Sequence, residues 1–331
     1  MKILITGGAG FIGSNFTEYM LKKYKNHKLV IFDLLTYASN PDTIKRFKKH
    51  KNFKFIQGDI RDKRAVDSAV KGADAVINFA AETHVDRSII NPDVFVETNV
   101  KGTNNLLEAA KKYKIRRFIQ ISTDEVYGSV KKGKSKEGDL LDPTSPYSAS
   151  KAAADLVALA YYKTFGVPVV ITRSSNNFGP YQHPEKFIPL FITNALENRE
   201  LPLYGDGKNV RNWIYVEDNC RGIDFVLKKG IPGEVYNIGG NVEVPNIQVA
   251  RTITSSLRKS SGLIKYVKDR LAHDRRYALD SSKLKKLGWE PGYNFSAALK
   301  KTVIWYRGNK TWWMKLKGKA FKSYYKKLYG R

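Results

Sequence analysis

Three glycines at three-residue spacing, Gly7, Gly10 and Gly13, constrain this chain more than any other feature. They follow Lys2–Thr6, an aliphatic run that reads as a buried strand, and they open the stretch Ile12–Tyr24, which reads as a helix. Glycines at such a junction permit a tight turn and let backbone N–H groups approach a pyrophosphate at the positive end of the helix. Twenty residues past Gly13, Asp33 closes a second strand-like run, Leu29–Phe32. A carboxylate there accepts hydrogen bonds from the adenosine ribose hydroxyls and repels a 2′-phosphate, so the pattern favours NAD over NADP. Asp59-Ile60, ending a third strand, is expected to reach the adenine. Ala80-Ala81, ending a fourth, is expected to line the path of the cofactor.

The same alternation continues. Strand-like runs recur at Phe53–Gln57, Ala75–Phe79, Phe118–Ser122 and Val167–Thr172, with helical patterns over Pro41–Lys48, Arg64–Val70, Asn91–Tyr113 and Pro146–Phe165. Strand–helix–strand repetition requires parallel strands with covering helices, so the fold class is α/β with a doubly wound parallel (Rossmann-type) sheet. Ser145 is the expected N-cap of the last helix, Pro146 suits its first turn, and Gly166 then Pro168 stop it. Beyond about residue 173 proline and glycine become frequent and the alternation weakens. The expected organisation is an NAD-binding domain over 1–172 with a return segment near 211–237, and a smaller C-terminal α/β substrate domain over 173–331. At the C-terminus, Lys310 to Arg331 carries eight basic residues and no acid. Trp312, Leu316, Ala320, Tyr324 and Leu328 recur every four residues there, predicting one amphipathic helix packed on the body.

No apolar run approaches the roughly 18 residues of a membrane span, and the start reads as a strand, not a signal sequence. A single cysteine, Cys220, excludes a disulfide framework and a thiolate metal cluster, and suits the cytoplasm. No metal is expected. The formal charge of +27, from 58 basic against 31 acidic residues, draws polyanions. The lysines are spread along the chain with no zinc-finger or RNP-like segment, so a basic surface that attracts small phosphorylated substrates is favoured over nucleic-acid binding.

Tyr147 and Lys151 stand four apart on the Pro146 helix and so share a face. A phenol is a poor base at neutral pH; a neighbouring ammonium, helped by the nicotinamide charge, favours the phenolate. The pair reads as the base that deprotonates an alcohol during its oxidation, and Thr123, ending the fifth strand, is placed to hydrogen-bond that alcohol. Asp124-Glu125 follows at once. Alcohol oxidation alone needs no carboxylates there, whereas loss of water from a 4-keto sugar needs a base at C5 and an acid for the C6 hydroxyl. Neighbours on a regular strand point to opposite faces, so the backbone must leave strand geometry here for both to reach one substrate. Buried together, the two should titrate as a pair, the more enclosed one staying protonated as the acid.

Read together, these residues resemble the dTDP-glucose 4,6-dehydratase family of the extended short-chain dehydrogenase/reductase superfamily. The matching stretches are TGGAGFIGS from Thr6, DLLTYA from Asp33, AAETHVDRSI from Ala80, ETNVKGT from Glu97, STDEVYG from Ser122 and PYSASKAAAD from Pro146. They continue with SNNFGPYQHPEKFIP from Ser175, YGDGKNVRNWIYVED from Tyr204 and HDRRYALD from His273. The resemblance implies that Phe11, Ile12, Asp33, Leu34, Leu35, Thr36, Asp59, Ile60, Ala80, Ala81, Glu82, Thr98, Tyr147, Lys151 and Asn177 hold NAD. It implies that His84, Thr123, Asn176, Lys186, Phe187, Pro202, Leu203, Tyr204, Arg211, Asn246, Asp269, Arg270 and His273 hold the nucleotide sugar. Lys186, Arg211 and Arg270 suit a diphosphate, and Tyr204 a pyrimidine. Leu271-Ala272 stands where the family usually has Pro-Gly, Asn212 replaces a usual Asp, and Cys220 a usual His.

The implied reaction is dehydration of dTDP-glucose to its 4-keto-6-deoxy form. Tyr147 takes the O4 proton as C4 is oxidised, Glu125 takes the C5 proton, Asp124 protonates the leaving C6 hydroxyl, and the electrons return to C6. Rival readings are a UDP-sugar 4,6-dehydratase, a 4-epimerase or decarboxylase on this scaffold, and a non-catalytic NAD-binding protein holding nucleic acid. The resemblance also implies a homodimer.

Overall fold

The computed structural model describes residues 1–330. Its strands are β1 (Lys2–Thr6), β2 (Lys28–Asp33), β3 (Phe53–Gln57), β4 (Ala75–Asn78), β5 (Arg117–Thr123), β6 (Val169–Ser174), β7 (Asn176–Phe178), β8 (Leu201–Tyr204), β9 (Val210–Tyr215), β10 (Val235–Ile238), β11 (Val242–Pro245) and β12 (Ile264–Val267). Seven of them form one sheet in the order β10-β6-β5-β4-β1-β2-β3, every pairing parallel. The strands are aliphatic nearly throughout because both faces are covered. Ile3, Ile5, Leu29, Ile31, Ile77 and Ile119 pack against Phe16, Met20, Cys220 and Ile223 on one side. Leu4, Val30, Phe32, Val76 and Phe118 pack against Val66, Leu106, Leu107 and Ala158 on the other. The chain leaves this sheet after β6 and rejoins it through the helix Val216–Lys229 and β10.

β1 lies between β2 and β4, so the strand order reverses there and a crevice opens beyond the carboxyl ends of β1 and β4, as doubly wound sheets require. Gly7 forms one lip, with φ +66°, and a Cβ on it would stand 2.5 Å from the Ala80 nitrogen. Only glycine fits both the turn and the approach. The remaining strands make two small sheets, β11-β9-β7 and β12-β8, around a second core that includes Phe178, Phe191, Trp213, Leu299 and Trp313. No helix among the described residues is long and apolar enough to cross a membrane.

Three expectations from the sequence need correction. The single helix over Asn91–Tyr113 is replaced by Val85–Ile90, a break at Asn91-Pro92, a short turn Asp93–Phe95, a π-helical stretch Val96–Lys101 and the helix Gly102–Lys112. Pro92 cannot donate into a continuous helix. β6 begins at Val169 because Val167 is held in the turn that follows the left-handed Gly166. The C-terminal stretch is two helices, Lys310–Leu316 and Lys319–Tyr329, parted at Lys317-Gly318, and Arg331 lies outside the described residues. The four-residue period holds but the buried line is one residue later, Trp313, Lys317 and Phe321, while Ala320 is exposed. Trp313 is fixed in the core by its Nε1 donating to the Tyr306 carbonyl at 2.8 Å, and Lys317 by Glu197 at 2.5 Å.

Gly7→Ala is therefore expected to destabilise the chain by about 2 kcal/mol or more, from the left-handed φ and the backbone contact. Denaturant unfolding checks this; an unchanged midpoint would show that the lip is not rigid.

Candidate active site

The groove at the switch point is built by four loops. The helix Phe11–Lys23 starts at Gly10 with no side-chain cap, which leaves its first-turn N–H groups free for a ligand. Asp33 ends β2 with its carboxylate accepting from the Ala9 N–H (2.9 Å) and the Leu35 N–H (2.8 Å). Burial raises its pKa and these two donors lower it. Asn99 ties down the loop after β4, accepting from the Glu82 N–H at 2.8 Å and donating to the Glu82 carbonyl at 3.0 Å.

The cavity so formed is about 360 Å³ and is lined by Gly7, Gly10, Phe11, Ile12, Gly13, Asp33, Leu34, Thr36, Asp59, Ile60, Ala80, Ala81, Glu82, Thr98, Tyr147, Lys151 and Asn177. Leu35 does not line it: at φ +60° its side chain turns to the core cluster beneath. Asp59 is already engaged by Arg61, which also lines the cavity, at 2.6 and 2.8 Å.

At Thr123 the chain leaves strand geometry. Asp124–Tyr127 winds one 3-10 turn, its N-terminus capped by the Thr123 hydroxyl, which accepts from the Glu125 N–H at 3.3 Å and donates to Asp124 Oδ1 at 3.2 Å. Both carboxyls thereby line the cavity that also holds Tyr147 and Lys151. The helix beneath these last two is started by a reciprocal cap, in which Ser145 and Ser148 each accept the other's backbone N–H at 3.1 and 3.0 Å. Lys151 donates to the Ile121 carbonyl at 2.5 Å. Under the turn runs a buried network. Asp155 accepts from Ser122 and Arg173, both at 2.9 Å, Arg173 reaches the Tyr127 hydroxyl at 2.9 Å, and that hydroxyl donates to Asn237 at 2.9 Å.

Burial decides the electrostatics. Asp124, 3% exposed, is raised well above the carboxylate range by burial and then by the charge of Glu125. Glu125 is also raised by burial, but Arg270, Lys186 and Arg211 oppose the shift. The more enclosed acid is the one raised further. Tyr147 departs from expectation: burial and the Glu125 carboxylate push its phenol up against a Thr123 hydrogen bond, while Lys151 donates to a backbone carbonyl. Lys151 itself is pushed down to about 8 by burial, against the pull of Asp155. The set can accept one proton at Glu125 while donating another from Asp124.

A second cavity of about 160 Å³ adjoins the first, sharing Glu125, Asn176 and Lys186, and brings together His84, Phe187, Pro202, Leu203, Tyr204, Arg211, Asn246, Arg270 and His273. Asp269 stands outside its wall, holding His273 Nδ1 at 2.5 Å. His273 is pushed down to about 4 by burial and the Arg270 charge. In the loop before it Ala272 has φ +49°, a left-handed backbone that a glycine adopts without strain, so this chain keeps the turn at a cost of about 1 kcal/mol. Seven buried polar atoms without a partner belong to residues lining the two cavities: Asp124 Oδ2, Asn176 Oδ1, Asn177 Oδ1, Gln182 Oε1, Trp213 Nε1, Asn246 Oδ1 and Arg270 Nε. Buried polar groups left open on a cavity wall are available to hydrogen-bond a ligand.

Several wall residues were not singled out from the sequence. Gln182 and Glu185 lie inside the stretch from Ser175 and line both cavities, as the alternation of that loop gives no hint of which residues face inward. Tyr37 lies inside the stretch from Asp33, and Tyr329 has no local signal at all.

A family model described as GDP-mannose 4,6 dehydratase matches residues 4–302. The low-salt glycan biosynthesis protein Agl12 of Haloferax volcanii is 52% identical over 309 residues, 93% of this chain and 99% of that one. A dTDP-glucose 4,6-dehydratase of Streptomyces niveus is 47% identical over 322 residues, 96% of each chain. The crystal structure of DesIV, the dTDP-glucose 4,6-dehydratase of Streptomyces venezuelae with NAD bound, superposes with a TM-score of 0.94 at 47% identity, covering 96% of this chain and 100% of that one.

The state of Asp124 has a stability signature. Its folded pKa is raised, so folding takes up a proton, and the penalty is absent below the ordinary carboxylate range and grows as pH rises toward the folded value. Asp124→Asn removes that penalty. Its stability relative to the parent chain is expected to increase from pH 4 to pH 8 in denaturant unfolding, and a difference that stays constant with pH would show Asp124 ionised in the fold.

Proposed function

The chain belongs to the 4,6-dehydratase family matched by that model and by the dTDP-glucose enzymes, and we propose that it converts dTDP-glucose to dTDP-4-keto-6-deoxyglucose using NAD. The observation that carries this reading is the pair Asp124 and Glu125, buried beside Tyr147 and Lys151 where the two cavities meet.

The first cavity fits NAD. The Gly7 lip leaves no room for a side chain, the helix start at Gly10 is uncapped, and the Asp33 carboxylate closes β2 beside them. Gly10, Phe11 and Ile12 would hold the pyrophosphate, Asp33, Leu34 and Thr36 the ribose, Asp59 and Ile60 the adenine, and Ala80 to Glu82, Thr98, Lys151 and Asn177 the remainder. When bound, NAD supplies the acceptor and later the donor of the electron pair exchanged with the sugar.

The second cavity would hold the nucleotide sugar. Lys186, Arg211 and Arg270 supply the cations for its diphosphate, and Asn246 and His273 flank them. Tyr204 offers a ring to the pyrimidine. Thr123 orients the C4 hydroxyl and Tyr147 takes its proton. That transfer is easier because Asp124 is uncharged, which removes one of the two carboxylates that would oppose a phenolate. Glu125 then accepts the C5 proton and Asp124 donates to the departing C6 hydroxyl, so water leaves with no net change in the charge of the pair.

Other parts of the proposal have separate support. The domain division is supported by two cores, one around the large sheet and one around Trp313, with Trp213 and Tyr215 of the expected return segment packing in the second core and Leu284 and Trp289 in the first. Homodimer formation is supported by apolar side chains left on the surface of neighbouring helices: Ile90, Val96, Leu156 and Phe165. The lone buried thiol, Cys220, suits a cytoplasmic enzyme. The +27 charge would speed the encounter with an anionic substrate.

Incubation with dTDP-glucose in deuterium oxide is expected to give product deuterated at C5 and lacking the 6-hydroxyl, with no lasting reduced cofactor. Glu125→Gln should lower turnover by about 10²-fold or more and leave reduced cofactor in the enzyme. Undiminished turnover in that variant would remove Glu125 from the base role, and conversion of UDP-glucose alone would reassign the nucleotide.

A further inference from the structure

The helix Lys319–Tyr329 lies beyond the residues matched by the family model, yet it is seated on the second cavity. Tyr329 is part of the cavity wall. Its ring lies 5.7 Å from that of Tyr204, centroid to centroid, and Tyr204 in turn meets His273 edge-on at 5.9 Å. One turn earlier the Tyr325 ring meets that of Tyr329 at 4.7 Å, tilted by 56°.

The helix is clamped at this place. Tyr324 sets its ring edge-on to His84 at 5.7 Å and its hydroxyl lies 3.3 Å from His84 Nδ1. The Arg87 guanidinium is sandwiched between two rings, 4.1 Å from the centre of Tyr324 and 3.9 Å from that of Tyr37. Arg87 also grips Glu185 with two bonds of 3.0 and 2.7 Å. A forked cation held flat between two aromatic faces and a buried carboxylate is a stiff joint. The Lys317 ammonium, bound to Glu197 at 2.5 Å and Asn194 at 3.0 Å, anchors the start of the helix. Exposed lysines 322, 326 and 327 lie on the outer side, so the apolar face is turned to the cavity.

We infer that this helix is the outer wall of the nucleotide-sugar site and that Tyr329 is a substrate-contact residue, forming with Tyr204 the aromatic surface that receives the nucleoside. The inference rests on the second cavity being the nucleotide-sugar site. Tyr329 touches neither Tyr147 nor Asp124, so its contact favours ground state and transition state alike and acts on affinity, not on the chemical step.

The test compares the full holoenzyme with Tyr329→Ala, Tyr329→Phe, a double change of Lys326 and Lys327 to Ala, and a chain ending at Gly318. Each is measured in dTDP-glucose turnover and in calorimetric titration with dTDP. In Tyr329→Ala and in the shortened chain, KM for dTDP-glucose and Kd for dTDP are expected to rise about tenfold, with kcat held. Tyr329→Phe keeps the ring and most of the affinity, and the lysine variant matches the parent. Unchanged KM and Kd in Tyr329→Ala overturn the assignment whether or not the shortened chain folds, and so does an equal loss in the lysine variant. A full-length chain that binds dTDP, loses that binding in Tyr329→Ala and yet turns over no dTDP-glucose would overturn the reaction and leave the wall standing; one that binds no dTDP overturns both.

Discussion

The site depends on one constraint: two adjacent carboxyl groups are taken out of water in the same small volume. Ionising both would leave like charges side by side in a low dielectric, and an uncompensated buried charge costs several kcal/mol. Ionising the second is therefore opposed. Burial and the Glu125 charge raise Asp124, the deeper of the two, while Glu125 faces the cations of the second cavity, which oppose its rise. In the proposed division of labour between acid and base, depth and neighbours decide, not residue type.

Holding such a pair requires a frame that does not relax toward solvent. The 3-10 turn Asp124–Tyr127 is fixed at its start by Thr123 and at its end by the Tyr127 hydroxyl, which is caught between Arg173 and Asn237. Arg173 and Asp155 form a buried ion pair that adds little net stability but admits only one arrangement of the groups around it. Asp155 also supplies the negative charge that keeps the Lys151 ammonium from falling further. One network therefore sets the geometry of the acid pair and the charge beside the phenol. The cations opposite have the reciprocal problem. Burial lowers Lys186 and Arg211, and the carboxylates of Glu125 and its neighbours offset part of that cost until an anionic ligand arrives.

Much of this was legible in the sequence, for identifiable reasons. The parallel sheet follows from continuous aliphatic runs broken by helical periods, and the cofactor edge from the Gly7, Gly10, Gly13 and Asp33 spacing. Departure from strand geometry after Thr123 follows from two acids needing one target. Other features depend on contacts distant in the chain, which no local pattern encodes. The C-terminal stretch has two candidate stripes one residue apart, and the fit of Trp313 against Tyr306 selects between them. The break at Pro92 was readable in principle, but the apolar period on either side masks it. The raised phenol of Tyr147 could not be read from Tyr-x-x-x-Lys, since it depends on where Lys151 sends its ammonium and on the carboxylates across the cavity. Tyr329 reaches the second cavity through contacts distant in the chain, among them Arg87 on Tyr324 and Lys317 on Glu197.

The most direct test of the account is the protonation state of one side chain. Infrared difference spectra of the holoenzyme against Asp124→Asn, taken at neutral pH, isolate the carbonyl stretch of a protonated carboxyl at that position. A protonated-acid band present at pH 7 and replaced by a carboxylate band as the pH is raised is the predicted result. A carboxylate signal from Asp124 already at pH 7 would contradict the account, since the groove would then contain two bases and no acid.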